Sequence, residues 1–124
     1  METCRRNTVR RRVLSLHKTV RKHFGEVVTV TQEVQDIISS PIVKEAIINN
    51  SDCKILLDQR KFMNRFDAIQ TLLGLTDKEK AQILSINMSN HPGRKYKEVW
   101  IGLGGVQSAV YATEVSKQEY LVRP

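Results

Sequence analysis

Apolar positions three or four residues apart open the chain. Val9, Val13, Leu16, Val20 and Phe24 form one stripe of a helix, with arginines on its other faces. Arg21, Lys22 and His23 fall in its last turn, where positive charge suits the helix dipole, and Gly25 is expected to stop it. The period then changes. "VVTVT" (Val27 to Thr31) is short and β-branched and predicts a buried strand. "SSPIVKEAIINN" predicts a helix, with Ser40 as cap, Pro41 as first helical residue and Asn49–Asn50 as exit. "CKILLD" (Cys53 to Asp58) predicts a second buried strand, with Cys53 as a small buried residue. Strand, helix and strand in this order fit a right-handed parallel βαβ unit.

"RKFMNRFDAIQTLLG" predicts an amphipathic helix with Phe62, Phe66, Ile69 and Leu73 on one face and Gly74 as terminator. "TDKE" (Thr76 to Glu79) is a capping box, which opens a helix through about Ile86. "NMSNHPGRK" is a polar loop built on Pro92 and Gly93. "EVWIGL" and "QSAVYATEV" predict two strands joined across Gly104–Gly105. The tail from Ser116 has no clear period. The fold class is α/β, and the sheet is unfinished: a parallel pair usually sits in a wider sheet covered on both faces. Its exposed edges predict self-association.

Composition narrows the chemistry. The 124 residues suffice for one domain. Two widely spaced cysteines, Cys4 and Cys53, point to reduced thiols in the cytoplasm and give neither a disulfide framework nor a zinc spacing. No apolar run spans a bilayer. The net charge of +7 is confined to residues 1–25, where eight Lys/Arg stand against Glu2 alone. The rest of the chain carries twelve of each sign. Such a segment attracts nucleic acid or an acidic membrane surface; the plainer alternative is a solvated helix face.

A phosphate loop requires G-x-x-x-x-G-K-[ST] between strand and helix, and none of the six glycines precedes a lysine. "GLGG" (Gly102 to Gly105) lies between strands and reads as a turn. His17, His23 and His91 lack metal-ligand spacing, there is no G-x-S-x-G elbow, and Asp58 and Asp67 have no carboxylate partner in view. Gln32 is left. An amide donates and accepts, so it can bridge an attacking water and a phosphate oxygen, as GTPase glutamines do. At the carboxyl end of a parallel strand it would face the crevice of an open α/β sheet. Capping the turn into the next helix is the simpler role for such a residue.

Four stretches then become informative together: "KTVRKHFGE", "VTQEVQDIISSPIVKEAIINNSDCKILLDQRKF", "LGLTDKEKAQILSIN" and "YKEVWIGLGG…SAVYATEVSKQEY". From Lys18 to Tyr120 they resemble the C-terminal end of TraG-type conjugation ATPases, carried by conjugative transposons of Bacteroides-like bacteria and related to type IV secretion ATPases. The first sixteen residues fall outside the resemblance, so 1–17 is set apart as a basic helical segment and 18–124 as the C-terminal portion of a RecA-like P-loop NTPase domain. The resemblance implies a hexameric motor that uses ATP and Mg²⁺ to drive DNA transfer or channel assembly. Its phosphate loop and acidic Mg²⁺ motif would lie upstream, so these residues alone are expected to be inactive and to hold no cofactor. It makes Gln32, beside Thr31, a γ-phosphate sensor. Arg60 becomes a candidate arginine finger and Lys61 a nucleotide-contacting group. The implied partners are the rest of the domain, neighbouring subunits and channel proteins, at the cytoplasmic side of the inner membrane. DNA could meet the basic segment. A second reading is a small winged-helix-like DNA-binding module, built from "FDAIQTLLGLTDKEKAQILSI" and the following hairpin. Asp77 and Glu79 at the start of its second helix would repel phosphates.

Overall fold

The computed structural model describes residues 2–32, 39, 41–89, 91–93 and 95–122, with residues 2–10, 42, 43 and 120 described by backbone alone. The chain divides into two units, Met1–Asp52 and Cys53–Pro124.

In the first unit, helix α1 (Glu2–Thr19) runs into a 3₁₀ turn (Val20–His23) and packs against helix α2 (Pro41–Asn50). Pro41 is the first helical residue, where its missing N–H costs nothing. The Ser40 cap lies outside the described residues, as does the Val9 side chain. Val13, Leu14, His17 and Val20 are half-buried, Leu16 is exposed, and Ala46 of α2 is buried. The helix stops one residue before the expected glycine. Phe24 takes the left-handed conformation (φ 55°). Its N–H donates to Arg21 O (3.3 Å) and that of Gly25 to Val20 O (3.1 Å), the pair of bonds of a Schellman motif. Gly25 serves close approach instead, since a Cβ there would lie 2.7 Å from Val20 Cγ2.

Residues 27–31 form neither helix nor strand, and Val28 and Val30 are exposed. A β-branched run favours extension, but a strand also needs a ladder of backbone bonds to a neighbour, and the segment 27–31 belongs to none of the three strands of the sheet. Its tie to α1 is a side-chain relay. His17 Nδ1 donates to Val13 O (2.9 Å), which leaves Nε2 to accept from Thr29 Oγ1 (3.3 Å).

The second unit is a three-stranded antiparallel sheet in the order β1 (Cys53–Leu56), β2 (Tyr96–Leu103), β3 (Gln107–Glu114). The predicted parallel βαβ unit is therefore not formed here. Strand β1 pairs antiparallel with β2, Ile55 opposite Ile101 and Leu56 opposite Trp100. As an edge strand it is not buried either, and Cys53 is exposed rather than enclosed. Strands β2 and β3 make the predicted hairpin, with Leu103 opposite Gln107. Gly104 (φ 53°) and Gly105 (φ 72°) supply the two left-handed residues that its turn requires.

Between β1 and β2 the chain makes a 3₁₀ turn (Arg60–Arg65), helix α3 (Phe66–Leu73) and helix α4 (Asp77–Leu84). The single amphipathic helix expected from Arg60 is thus split. Phe62 N–H reaches Gln59 O (2.9 Å), and regular α-helix begins only at Phe66. Gly74 ends α3 in the left-handed conformation. The Thr76–Glu79 capping box forms in both directions: Glu79 N–H donates to Thr76 Oγ1 (3.3 Å) and Thr76 N–H to Glu79 Oε2 (2.8 Å). Helix α4 stops at Leu84, two residues earlier than predicted. Ile86 still reaches the core, which comprises Phe66, Ile69, Leu72, Ile83, Ile86 and Trp100. Residues from Ser116 were expected to be aperiodic but form helix α5 (Lys117–Val122), opened by a second reciprocal cap between Ser116 and Glu119 (3.0 and 3.2 Å).

Candidate functional site

Thr31 and Gln32 lie in the first unit and are exposed, with Gln32 at a bend. Arg60 and Lys61 lie in the second, in the 3₁₀ turn after β1. Lys61 is exposed, and its ammonium sits 5.8 Å from the Phe62 ring centroid, within cation–π range.

Arg60 is held firmly. The chain leaves β1 at Leu56 and reaches Asp58, whose carboxylate accepts the Arg60 backbone N–H (3.0 Å). The same carboxylate takes Arg60 Nε on both oxygens (2.9 Å each) and Nη2 on Oδ2 (2.5 Å). This planar fork is the strongest form of charge-assisted pairing, and the Arg60 side chain stays about half exposed (52%). Behind it stands Asn87, which the sequence pattern places in a polar loop. Asn87 is buried and left-handed (φ 59°), a conformation asparagine tolerates better than most residues. Its amide Nδ2 donates to Asp58 Oδ2 (3.4 Å) and its Oδ1 accepts the Glu98 N–H (3.0 Å). Its own N–H donates to Glu98 Oε2 (2.7 Å). A chain of polar contacts thus joins the exit of β1, the end of α4 and the start of β2 to one presented guanidinium.

The side-chain hydrogen bond from Arg60 holds the Asp58 carboxyl below the usual carboxylate range, helped by the Arg60 N–H and the Asn87 amide and opposed by partial burial. A depressed folded pKa stabilises the fold above the unfolded pKa, and that gain disappears as pH falls through the folded value. Thermal midpoints of wild type and Asp58→Asn are therefore expected to differ at neutral pH and to converge in acid, below the ordinary Asp value of 3.8. Midpoints that stay equally far apart at both ends would show that the pair contributes nothing through charge.

Two recesses lie in the second unit, and neither has the size and lining of a nucleotide pocket. The glycines of the hairpin, with Lys54, Glu79 and Trp100, line a recess of about 40 Å³. That is room for roughly one water, whereas ligand pockets run to about 300–1,000 Å³. An open groove of about 500 Å³ near the chain end is lined by Glu114, Val115, Gln118, Glu119 and Val122, and its two carboxylates disfavour a polyphosphate. No three His, Cys, Asp or Glu residues cluster to hold a metal ion, and no helix is long and apolar enough to cross a membrane, among the described residues. Helix α4 opens with Asp77 and Glu79, and its Lys80 is engaged with Asp67.

Compared with known proteins, the chain matches the family model described as the TraG P-loop domain over residues 4–123. That match begins well before Lys18 and takes in the arginines from Arg5 to Arg12. No curated protein and no solved structure matches. Because the family model covers nearly the whole chain, this protein belongs to the TraG P-loop domain family.

Proposed function

We propose that the chain forms the C-terminal part of a RecA-like ATPase domain of a conjugative-transfer, type IV secretion motor. In this reading Gln32, next to Thr31, reads the γ-phosphate. Arg60 and Lys61 face a nucleotide at a subunit boundary. The phosphate loop and the Mg²⁺ site are supplied by other polypeptide of the domain, at the cytoplasmic side of the inner membrane. The observation that carries the reading is one coincidence: a P-loop family match runs from residue 4 to 123, yet no G-x-x-x-x-G-K-[ST] occurs in the chain. The exposed sheet face supports it. By strand alternation, Ile55, Leu103 and Tyr111 stand opposite the face that holds Trp100, and they are 61%, 48% and 45% exposed. Further polypeptide of the domain, or a neighbouring subunit, would cover that apolar face. The acidic start of α4 weighs against a winged-helix reading of the second unit.

The test is phosphate release from Mg²⁺-ATP by the 124-residue chain. No turnover is expected, and turnover that Gln32→Ala abolishes would overturn the claim of inactivity. In a protein joining this chain to the phosphate-loop-bearing part of a TraG-type ATPase, Gln32→Ala is expected to lower kcat roughly a hundredfold, the size typical of losing one positioned polar group. An unchanged kcat would remove Gln32 from the site.

A further inference from the structure

At the end of α1 the structure combines two features that the ATPase reading does not use. The first is charge. Arg11, Arg12, Lys18, Arg21 and Lys22 are all exposed, and none is in an ion pair among the described residues. The one carboxylate between Arg11 and Gln32 is Glu26. Arg11 and Lys18 stand two turns apart on one side of the helix, about 10 Å along its axis, and Arg21 continues that row into the 3₁₀ turn, with Lys22 beside it.

The second feature is Phe24. It directly follows Arg21, Lys22 and His23, its side chain is fully exposed, and its backbone is left-handed. That conformation is unusual for a bulky residue and costs stability. Glycine is the ordinary occupant of this position in a Schellman motif, and glycine is present one residue later, committed to its approach to Val20. The turn therefore displays, on a strained backbone, an aromatic ring in solvent at the head of a row of cations.

We infer that this end of α1 binds single-stranded nucleic acid, with an unstacked base on the Phe24 ring and phosphates on Lys22, Arg21, Lys18 and Arg11. Base stacking on an aromatic platform beside a basic track is how single strands are held without sequence readout. A duplex keeps its bases stacked and offers the ring nothing. An anionic bilayer would instead require the apolar side of the helix, and there Val13, Leu14 and Val20 are already half-buried in a helix that packs against α2. The inference is independent of the ATPase reading, because it requires no nucleotide site.

The experiment titrates the full chain into a labelled single-stranded DNA oligonucleotide, its RNA counterpart, the matching duplex and phosphatidylserine vesicles. Single strands are expected to bind most tightly, with log affinity falling linearly against log salt. Lys22→Gln and Arg21→Gln should each reduce that slope by roughly 0.7, the value per phosphate contact on a single strand. Phe24→Gly should raise the thermal midpoint by relieving the backbone, yet weaken single-strand binding about tenfold, and Phe24→Trp should keep the binding. A rise in stability together with a fall in affinity excludes unfolding as the cause. Preference between DNA and RNA would identify the sugar the site takes. Single-strand affinity unchanged in Phe24→Gly, or vesicles or duplex bound as tightly as the single strand, would overturn the inference.

Discussion

Trp100→Ala is expected to cost the Cys53–Pro124 unit about 3–5 kcal/mol, the range for truncating a buried aromatic to alanine. Trp100 is the chain's one tryptophan and is 1% exposed. It sits on β2, the central strand, opposite Leu56 on one side and Val110 on the other. With Phe66 and Ile83 it fills the space between sheet and helices. Its indole Nε1 donates to Gln82 Oε1 (3.2 Å), the same oxygen that accepts from Ser108 Oγ (3.2 Å). The alanine variant thus leaves a cavity and removes one of two donors from a half-buried amide. A unit of about seventy residues has roughly 4–10 kcal/mol of stability in total at usual values per residue, so most of it would be lost. Circular dichroism against temperature or denaturant measures this, since the variant has no tryptophan left to report. Trp100→Phe, which restores much of the volume but not the N–H, should fall between the two. A loss under 1 kcal/mol for the alanine variant would mean that the helices do not pack on this ring.

How much of this could be read beforehand depended on whether the determinants were local. The Thr76–Glu79 cap, the Pro41 start, the Gly74 stop and the Gly104–Gly105 turn each rest on a few adjacent residues, and each was legible. The Ser116–Glu119 cap has the same S-x-x-E form. It is not legible, because the six-residue helix behind it has no apolar period to announce it. Strand pairing was another matter. "CKILLD" has the continuous apolar character of a buried parallel strand, but an edge strand with one covered face can show the same run, and periodicity does not separate them. Its partner is β2, far along the chain, and nothing local names it. The same limit hid the Asp58–Asn87–Glu98 contacts, which join three segments distant in sequence. A polar residue at a helix end with a taste for left-handed backbone was the single clue to Asn87. Gln32 stands differently. Its proposed role rests on family resemblance alone, and the geometry supplies only an exposed bend.

Gly102→Ala is the second change expected to be severe, and for the opposite reason. A Cβ built on Gly102 falls 2.3 Å from Trp100 Cη2 and 2.9 Å from two further ring carbons. Residues 100 and 102 share a face of β2, so the tip of the indole's six-membered ring lies against the glycine, and the sheet backbone beneath cannot retreat without breaking the pairs Lys54–Gly102 and Gly102–Ser108. The ring must move instead, and with it the bond to Gln82. Overpacking of this kind costs about 1–3 kcal/mol, and the upper end applies where both neighbours are fixed. The mechanism can be isolated by a double-mutant cycle. If the methyl acts by striking the indole, adding Gly102→Ala to Trp100→Ala should cost little or even recover stability by filling the cavity. If the glycine is instead needed for its backbone freedom, the two losses should add. The fluorescence of the single tryptophan gives a second readout in Gly102→Ala alone: emission should shift to longer wavelength as the ring is pushed toward water. Stability and emission both unchanged would place the indole elsewhere than over this strand.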